Sequence, residues 1–426
     1  ALSGANQVLA RKFFDHVFEP TDEQGRAQRL GDIYRRTKVD ATPTQPGLTN
    51  HRNFTLLGDP SARLGMARNE ARITAITDTL GQAMDTLRAL DVIRVQGEVL
   101  DANGDLDADF NGLVVPTVFD KEQDLLTLAN DPPANALPFT LRKGIIYRGR
   151  ATVSNGVFSF TFVVPKDINY QVGPGRIGVY AESLDQNACG YTNDPLVGGT
   201  NPDAASDAAG PRIELYMNDE RFVNGGITTE DPLLFAKLSD DNGINTLGNS
   251  IGHDLVAVVD GNAESGLVLN DVYQADKDTY KSGQVRYRMS DLAEGRHTLD
   301  LKAWDVYNNS SQKSVEFVVA PSAELALEHV LNYPNPFTTH TEFYFEHNRP
   351  CQTLECQVQV FTVAGRLVKT LNRRLDCDGF RSEPLAWDGL DDFGDRLGRG
   401  VYVYRLSITT PGGEEADKIE KLVILR

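Results

Sequence analysis

The run Val157-Phe158-Ser159-Phe160-Thr161-Phe162-Val163-Val164 decides the fold class. Three phenylalanines alternate with Ser159 and Thr161, the two-residue period of a strand with one face in a core. The same period recurs on both sides. Val92, Arg94, Gln96 and Glu98 alternate with Ile93, Val95, Gly97 and Val99. Ile145, Tyr147 and Gly149 alternate with Ile146, Arg148 and Arg150. Gly and Asn punctuate these runs at short intervals, which predicts a mainly β chain of antiparallel sandwiches rather than βαβ units. A short helix is expected to intervene near 124–129.

Outward from this block the pattern changes once. From about residue 6 to 18, Val8, Leu9, Phe13, Phe14, Val17 and Phe18 recur at helical spacing, and Pro20 ends the run. A second helical face carries Ala27, Leu30, Ile33 and Tyr34, with Arg35, Arg36 and Lys38 near the negative end of the helix dipole. A turn-rich break at 42–47 follows, then Phe54-Thr55-Leu56-Leu57, expected as a short strand stopped by Gly58-Asp59-Pro60. Two helices and one strand have no core of their own. Residues 1–70 therefore read as the end of an α/β domain, and the chain, which opens inside a helical pattern, reads as part of a longer protein. Three β-sandwich domains are expected after it, at 71–210, 211–320 and 321–426. The first closes with a loop or linker from Gly198 to Pro211, rich in Ala, Asp and Gly from Asn201 on. Strands of the second are expected at 212–216, 233–238, 255–259, 284–289, 297–304 and 315–319. Those of the third are expected at 342–346, 357–362, 366–371, 401–409 and 418–425, with hairpin turns at Ala364-Gly365 and Pro411-Gly412-Gly413.

The chain has 426 residues, and at roughly 100–200 residues per domain it holds about two to four. Its net charge of −18 makes it a poor general binder of nucleic acid or anionic lipid. No run of 18 apolar residues marks a spanning helix, so no direct membrane insertion is expected, and no secretory leader pattern is visible at Ala1.

Candidate sites are few. A Cys–His dyad needs the two side chains within hydrogen-bond reach. Cys189, in the polar loop Gln186-Asn187-Ala188-Cys189-Gly190, and His253, in a loop after Gly252, have nothing local that orients them toward each other, and both are expected to be structural or incidental. Asp101, Asn103 and Asp105 alternate like a calcium loop, but an EF-hand needs Gly at the sixth position and Glu at the twelfth, where Leu106 and Gly112 stand. A turn is expected there and in the acidic stretch 388–395. Trp304, Phe317, Phe343, Phe345 and Trp387, in or beside strands, are expected in cores. No catalytic, cofactor-binding or metal-ligating residue is assigned.

Four stretches resemble one family. Asn53-Phe54-Thr55-Leu56-Leu57-Gly58-Asp59-Pro60-Ser61-Ala62-Arg63-Leu64 resembles the segment closing the caspase-like domain of gingipain-type, family C25 cysteine peptidases. Tyr147-Arg148-Gly149-Arg150, with the 158–168 run, resembles a β-domain of the type IX secretion sortases in that family. Gly243-Ile244-Asn245-Thr246, Ile251-Gly252-His253-Asp254, Gly295-Arg296-His297-Thr298-Leu299 and the 303–311 stretch resemble the next β-domain. Leu331-Asn332-Tyr333-Pro334-Asn335-Pro336-Phe337, Trp387-Asp388-Gly389 and the 400–406 stretch resemble a type IX sorting domain. The resemblance implies the tail of a caspase-like α/β domain followed by three immunoglobulin-like β-sandwiches. It implies a cysteine peptidase on the outer face of the outer membrane that removes sorting domains from cargo proteins and supports cargo attachment to lipopolysaccharide. Its implied partner is a PorV-like outer-membrane β-barrel, with the hairpin at 401–426 the first place to look for docking. The family's catalytic His and Cys precede the matched segment, so no position here inherits them. Rival expectations are a secreted gingipain-like cargo protease and an immunoglobulin-like adhesin or scaffold.

An oxidising surface setting also allows a disulfide. With Ala364 at the centre of the hairpin, Cys351 falls opposite Cys377 and Cys356 opposite Asn372. The Cys351–Cys377 bond would then contribute about 3 kcal/mol on the chain-entropy model. A Cys351–Cys356 bond would close only a tight local loop, and Cys356–Cys377 would need offset strands.

Overall fold

The computed structural model describes residues 3–18, 27–41, 52–67, 69–130, 135–248, 252–320, 325–349, 352–377 and 379–425. It is mainly β, with two α-helices, α1 (Ser3–Val17) and α2 (Leu30–Ala41). Leu9 and His16 of α1 are buried, as are Ile33, Thr37 and Ala41 of α2. His16 meets Asp40 at 2.8 Å and ties the pair together. Helix α2 runs past the expected basic turn, so that only Lys38 remains in its last turn. The stretch 54–57 forms no strand. The Phe54 carbonyl accepts instead from the Tyr34 hydroxyl and, at 2.8 Å, from Lys38. With no strand beside it, the segment lies along α2, where the Leu30 and Gly31 amides donate to the carbonyls of Ala62 and Pro60. Gly31 is needed for that approach, since a Cβ there would lie 2.8 Å from the Pro60 side chain. The break at 42–47 lies outside the described residues. No described helix is long and apolar enough to cross a membrane.

The next unit follows the alternating pattern. Its strands Val92–Leu100 and Val157–Val163 pair antiparallel, with Ile93, Val95, Val99, Phe158, Phe160 and Phe162 buried. The eight-stranded sheet closes on itself, because Arg176–Glu182 pairs with both Asn187–Thr192 and Gly112–Phe119. Two pairings in this unit are parallel: Asn69–Thr77 with Asn187–Thr192, and Leu196–Thr200 with Thr86–Ala89. The glycines 198 and 199 thus end the unit as strand, and the open loop begins after Thr200. The expected helix at 124–129 is a hairpin arm, Gln123–Leu126 paired with Pro138–Leu141. Leu125, Leu126 and Leu128 fit either period, and the pairing decides for strand.

The second unit packs a four-stranded sheet (212–217, 233–239, 282–288, 273–275) on a five-stranded one (226–228, 310–319, 295–304, 256–259, 267–268). In the third, a three-stranded sheet (327–333, 341–347, 385–387) covers a four-stranded sheet in the order 367–377, 352–362, 400–409, 415–424. Phe317, Phe343, Phe345 and Trp387 are buried as expected, whereas Trp304 is only partly so.

Candidate functional site

Among the described residues, six loops solve one problem in one way. Asp78, Asp101, Asp305 and Asp391 each donate their amide to the carbonyl four residues on, and accept the amide three residues on. Their carboxylates take the amides two and four residues on, at 2.7–3.1 Å. Thr362 and Thr410 close the same loop with the hydroxyl accepting the amide four residues on. The fourth position needs positive φ and is Gly in five loops and Asn308 in the other. The acidic stretches at 101–105 and 391–395 are therefore turns whose leading carboxylate is filled by backbone amides.

At the joint of the first two units, Asp167 follows strand Val157–Val163, and its side chain is 8% exposed. It accepts three donors from the second unit: Nδ1 of His253 at 2.7 Å, Nδ2 of Asn245 at 2.9 Å and Nδ2 of Asn308 at 2.6 Å. The His253 ring packs on Trp304, centroids 4.3 Å apart. A carboxylate orienting a histidine is half of a catalytic array, but among the described residues no nucleophile completes it. Cys189 lies in strand Asn187–Thr192, not in the expected loop, with Glu70 and Tyr180 as its pairing neighbours. A second link runs from the Thr152 amide and hydroxyl to Asp278, at 2.6 and 2.7 Å. Leu247, which belongs to the second unit by sequence, is fully buried in the core of the first.

Next to this joint, carboxylate oxygens of Asp207, Asp240 and Asp305 lie within 4.8 Å of one another. Hard oxygen donors of this kind suit a divalent cation, yet each also holds a turn: Asp207 takes the Ala209 amide, Asp240 those of Asn242 and Gly243, and Asp305 those of Tyr307 and Asn309. Burial holds Asp240 and Asp305 above the usual carboxylate range, while the Ala209 amide holds Asp207 below it. A raised folded-state pKa means that the native state binds the proton more tightly than the unfolded chain does. The penalty is then complete above the folded pKa and is relieved as pH falls through it toward the unfolded value. Asp240→Asn, which keeps an acceptor for both amides, is expected to raise the urea midpoint at pH 7 and to match the wild type near pH 4. A lower midpoint at pH 7 would show that the negative charge itself is required.

The second and third units also meet. Glu346, buried, accepts from Nδ1 of His329 at 2.9 Å and from the Ile227 amide at 3.4 Å. Neighbouring His347 is fully buried, and burial lowers it to about 4, so it is neutral. In the third unit, the outer face of the four-stranded sheet forms a cleft of about 560 Å³ lined by Gln357, Gln359, Asn372, Arg374, Arg405 and Asp417, among others. Its hairpin register departs from the expected one. Cys377 lies opposite Gln352 and Cys356 opposite Arg373, because a bulge at Val368 adds one residue to the strand. Cys351 lies outside the described residues, and the Cys351–Cys377 bond remains a proposal.

Residues 1–65 match the model of Peptidase family C25. The whole chain is similar to dimeric latent PorU from Porphyromonas gingivalis, at 30% identity over 96% of this chain, with a TM-score of 0.39. It spans 39% of the length of that PorU chain. Lower similarity extends to a tetra-tandem repeat from the extending region of a large adhesion protein, at 14% identity over 84% of this chain and 76% of that one, TM-score 0.19. It also extends to the Bacteroides ovatus mixed-linkage glucan utilization protein SGBP-B, at 12% identity over 84% and 70%, TM-score 0.24. No curated protein matched. The family match and the 30% identity along the chain support a PorU-like C-terminal region.

Proposed function

We propose that this PorU-like region is the non-catalytic carboxyl-terminal part of a type IX secretion sortase on the outer face of the outer membrane. In this reading the parent protein is a cysteine peptidase that removes sorting domains from cargo and supports cargo attachment to lipopolysaccharide. Two linked β-units space that peptidase from a third unit, which docks on a PorV-like β-barrel. The observation that carries the reading is the 30% identity to PorU along 96% of the chain.

Deleting 325–426 is expected to abolish co-purification with a PorV-like barrel. The two preceding units should keep their β-sheet circular dichroism and their melting transition, because their cores do not draw on the deleted residues. Unchanged co-purification would move the docking surface to residues 71–320.

A further inference from the structure

We propose that the open edge of strand Leu367–Cys377 binds an extended acidic peptide as an added strand. The strand is one border of the four-stranded sheet in the third unit. Strand Glu415–Ile424, the other border, is closed at its end by a neighbouring segment. There the Phe337 amide donates to the Val423 carbonyl, the Leu425 amide donates to the Phe337 carbonyl, and the Asn335 side chain bonds Val423 and Lys421. Its remainder carries Glu415, Asp417 and Glu420 against Lys418, which is paired with Glu328.

The Leu367–Cys377 border differs in both respects. Among the described residues it is covered only at its start, where the Asp392 amide donates to the Val368 carbonyl and the Asp392 carboxylate accepts the Thr370 amide. From 371 to 376 no strand lies beside it among the described residues. The Thr370 amide points away from the sheet, so by the two-residue period Asn372, Arg374 and Asp376 direct their amides and carbonyls outward too. Residues 366–377 contain no proline to block a partner.

Charge selects the occupant. In a chain of net charge −18, residues 366–376 carry Arg366, Lys369, Arg373 and Arg374 against Asp376 alone. Arg373 and Arg374 are exposed and make no ion pair among the described residues. Arg374 lies on the outer face of the sheet with the cleft, whereas Arg373, paired with Cys356, lies on the opposite face, so an added strand would set residues of one face beside Arg374 and residues of the other beside Arg373. Strand addition draws affinity from backbone hydrogen bonds and specificity from side chains at alternate positions. Arginines on an edge can also serve only to repel other strands, and that role would reject every peptide alike.

The test uses the 1–426 chain and two acetylated ten-residue peptides, one alternating Glu and Thr, the other Lys and Thr, followed by fluorescence anisotropy. The Glu peptide is expected to bind and the Lys peptide to bind at least tenfold more weakly. The gap should narrow in 0.5 M salt. Binding should slow hydrogen exchange at the amides of Asn372 and Arg374. Arg373→Glu with Arg374→Glu, checked for folding by near-ultraviolet circular dichroism, should lose at least tenfold in affinity. Arg374→Pro, which removes an outward amide and leaves the inner ladder intact, should do the same. Equal binding of both peptides, unchanged binding by the folded double variant, or no binding at 1 mM peptide would overturn the proposal. Self-association of the chain with protection of the same amides would also overturn it, making a second copy the occupant.

Discussion

Asp167→Ala is expected to split the unfolding of the first two β-units into two transitions. The wild-type carboxylate is almost wholly buried and takes donors from His253, Asn245 and Asn308, all on the second unit. Hydrogen bonds to a charged group contribute about 1.5–3 kcal/mol each, and removing the acceptor leaves all three donors unpaired at once. Partial exposure of His253 lets water replace one of them, so the loss of coupling is about 3 kcal/mol. Calorimetry should show one transition for these units in the wild type and two in the variant. Asp167→Asn, which keeps an acceptor but no charge, should fall between. A single transition with an unchanged midpoint would mean that Leu247 and the Thr152–Asp278 link hold the joint unaided.

The second large effect lies in the third unit. Phe343 is fully buried, with its ring 4.8 Å from Tyr404 and 6.2 Å from Trp387, centroid to centroid. Tyr404 is itself so buried that its hydroxyl is held well above the ordinary tyrosine range. Phe343→Ala removes a ring on which both aromatic neighbours rest, and such truncations cost about 3–5 kcal/mol. For a unit of about a hundred residues, that lowers the melting temperature by more than about 12 °C. Since the cores of the first two units contain no residue of the third, their transition should not move. A third-unit midpoint lowered by only a few degrees would show that the core collapses around the gap.

The sequence's alternating runs made most strands legible, because each strand buries one face and exposes the other. Phe158, Phe160 and Phe162 show that period on one strand. Where both faces share a character, the period fails. Leu125 and Leu126 stand on a hairpin arm and Leu128 just beyond it, with Leu126 and Leu128 exposed, and no pattern there distinguishes strand from helix. The stretch 54–57 is apolar enough for a strand, but a strand exists only beside another, and pairing partners are not written locally. The one-residue error in the 352–377 register has the same root, since nothing in Leu367-Val368-Lys369 announces a bulge. The Asp167 clamp was hidden for a different reason. Its donors lie 78, 86 and 141 residues further along the chain. For Cys189 and His253 the sequence offered only the absence of a local orienting group, because a dyad requires an oriented pair. The use of His253 as a clamp partner could be seen only once Asp167 was placed beside it.

Leu247 also sets an order on biosynthesis. The last strand of the first unit ends at Thr200, yet the leucine that completes its core is 47 residues further along the chain. At about 5–20 residues per second of synthesis, the first unit waits about 2–9 s for it. During that interval the nascent unit has its strands but an unfilled place in its interior. The two units therefore mature together rather than in turn, and a ribosome pause between codons 200 and 247 would lengthen the time for which an incomplete core is exposed to chaperones and proteases.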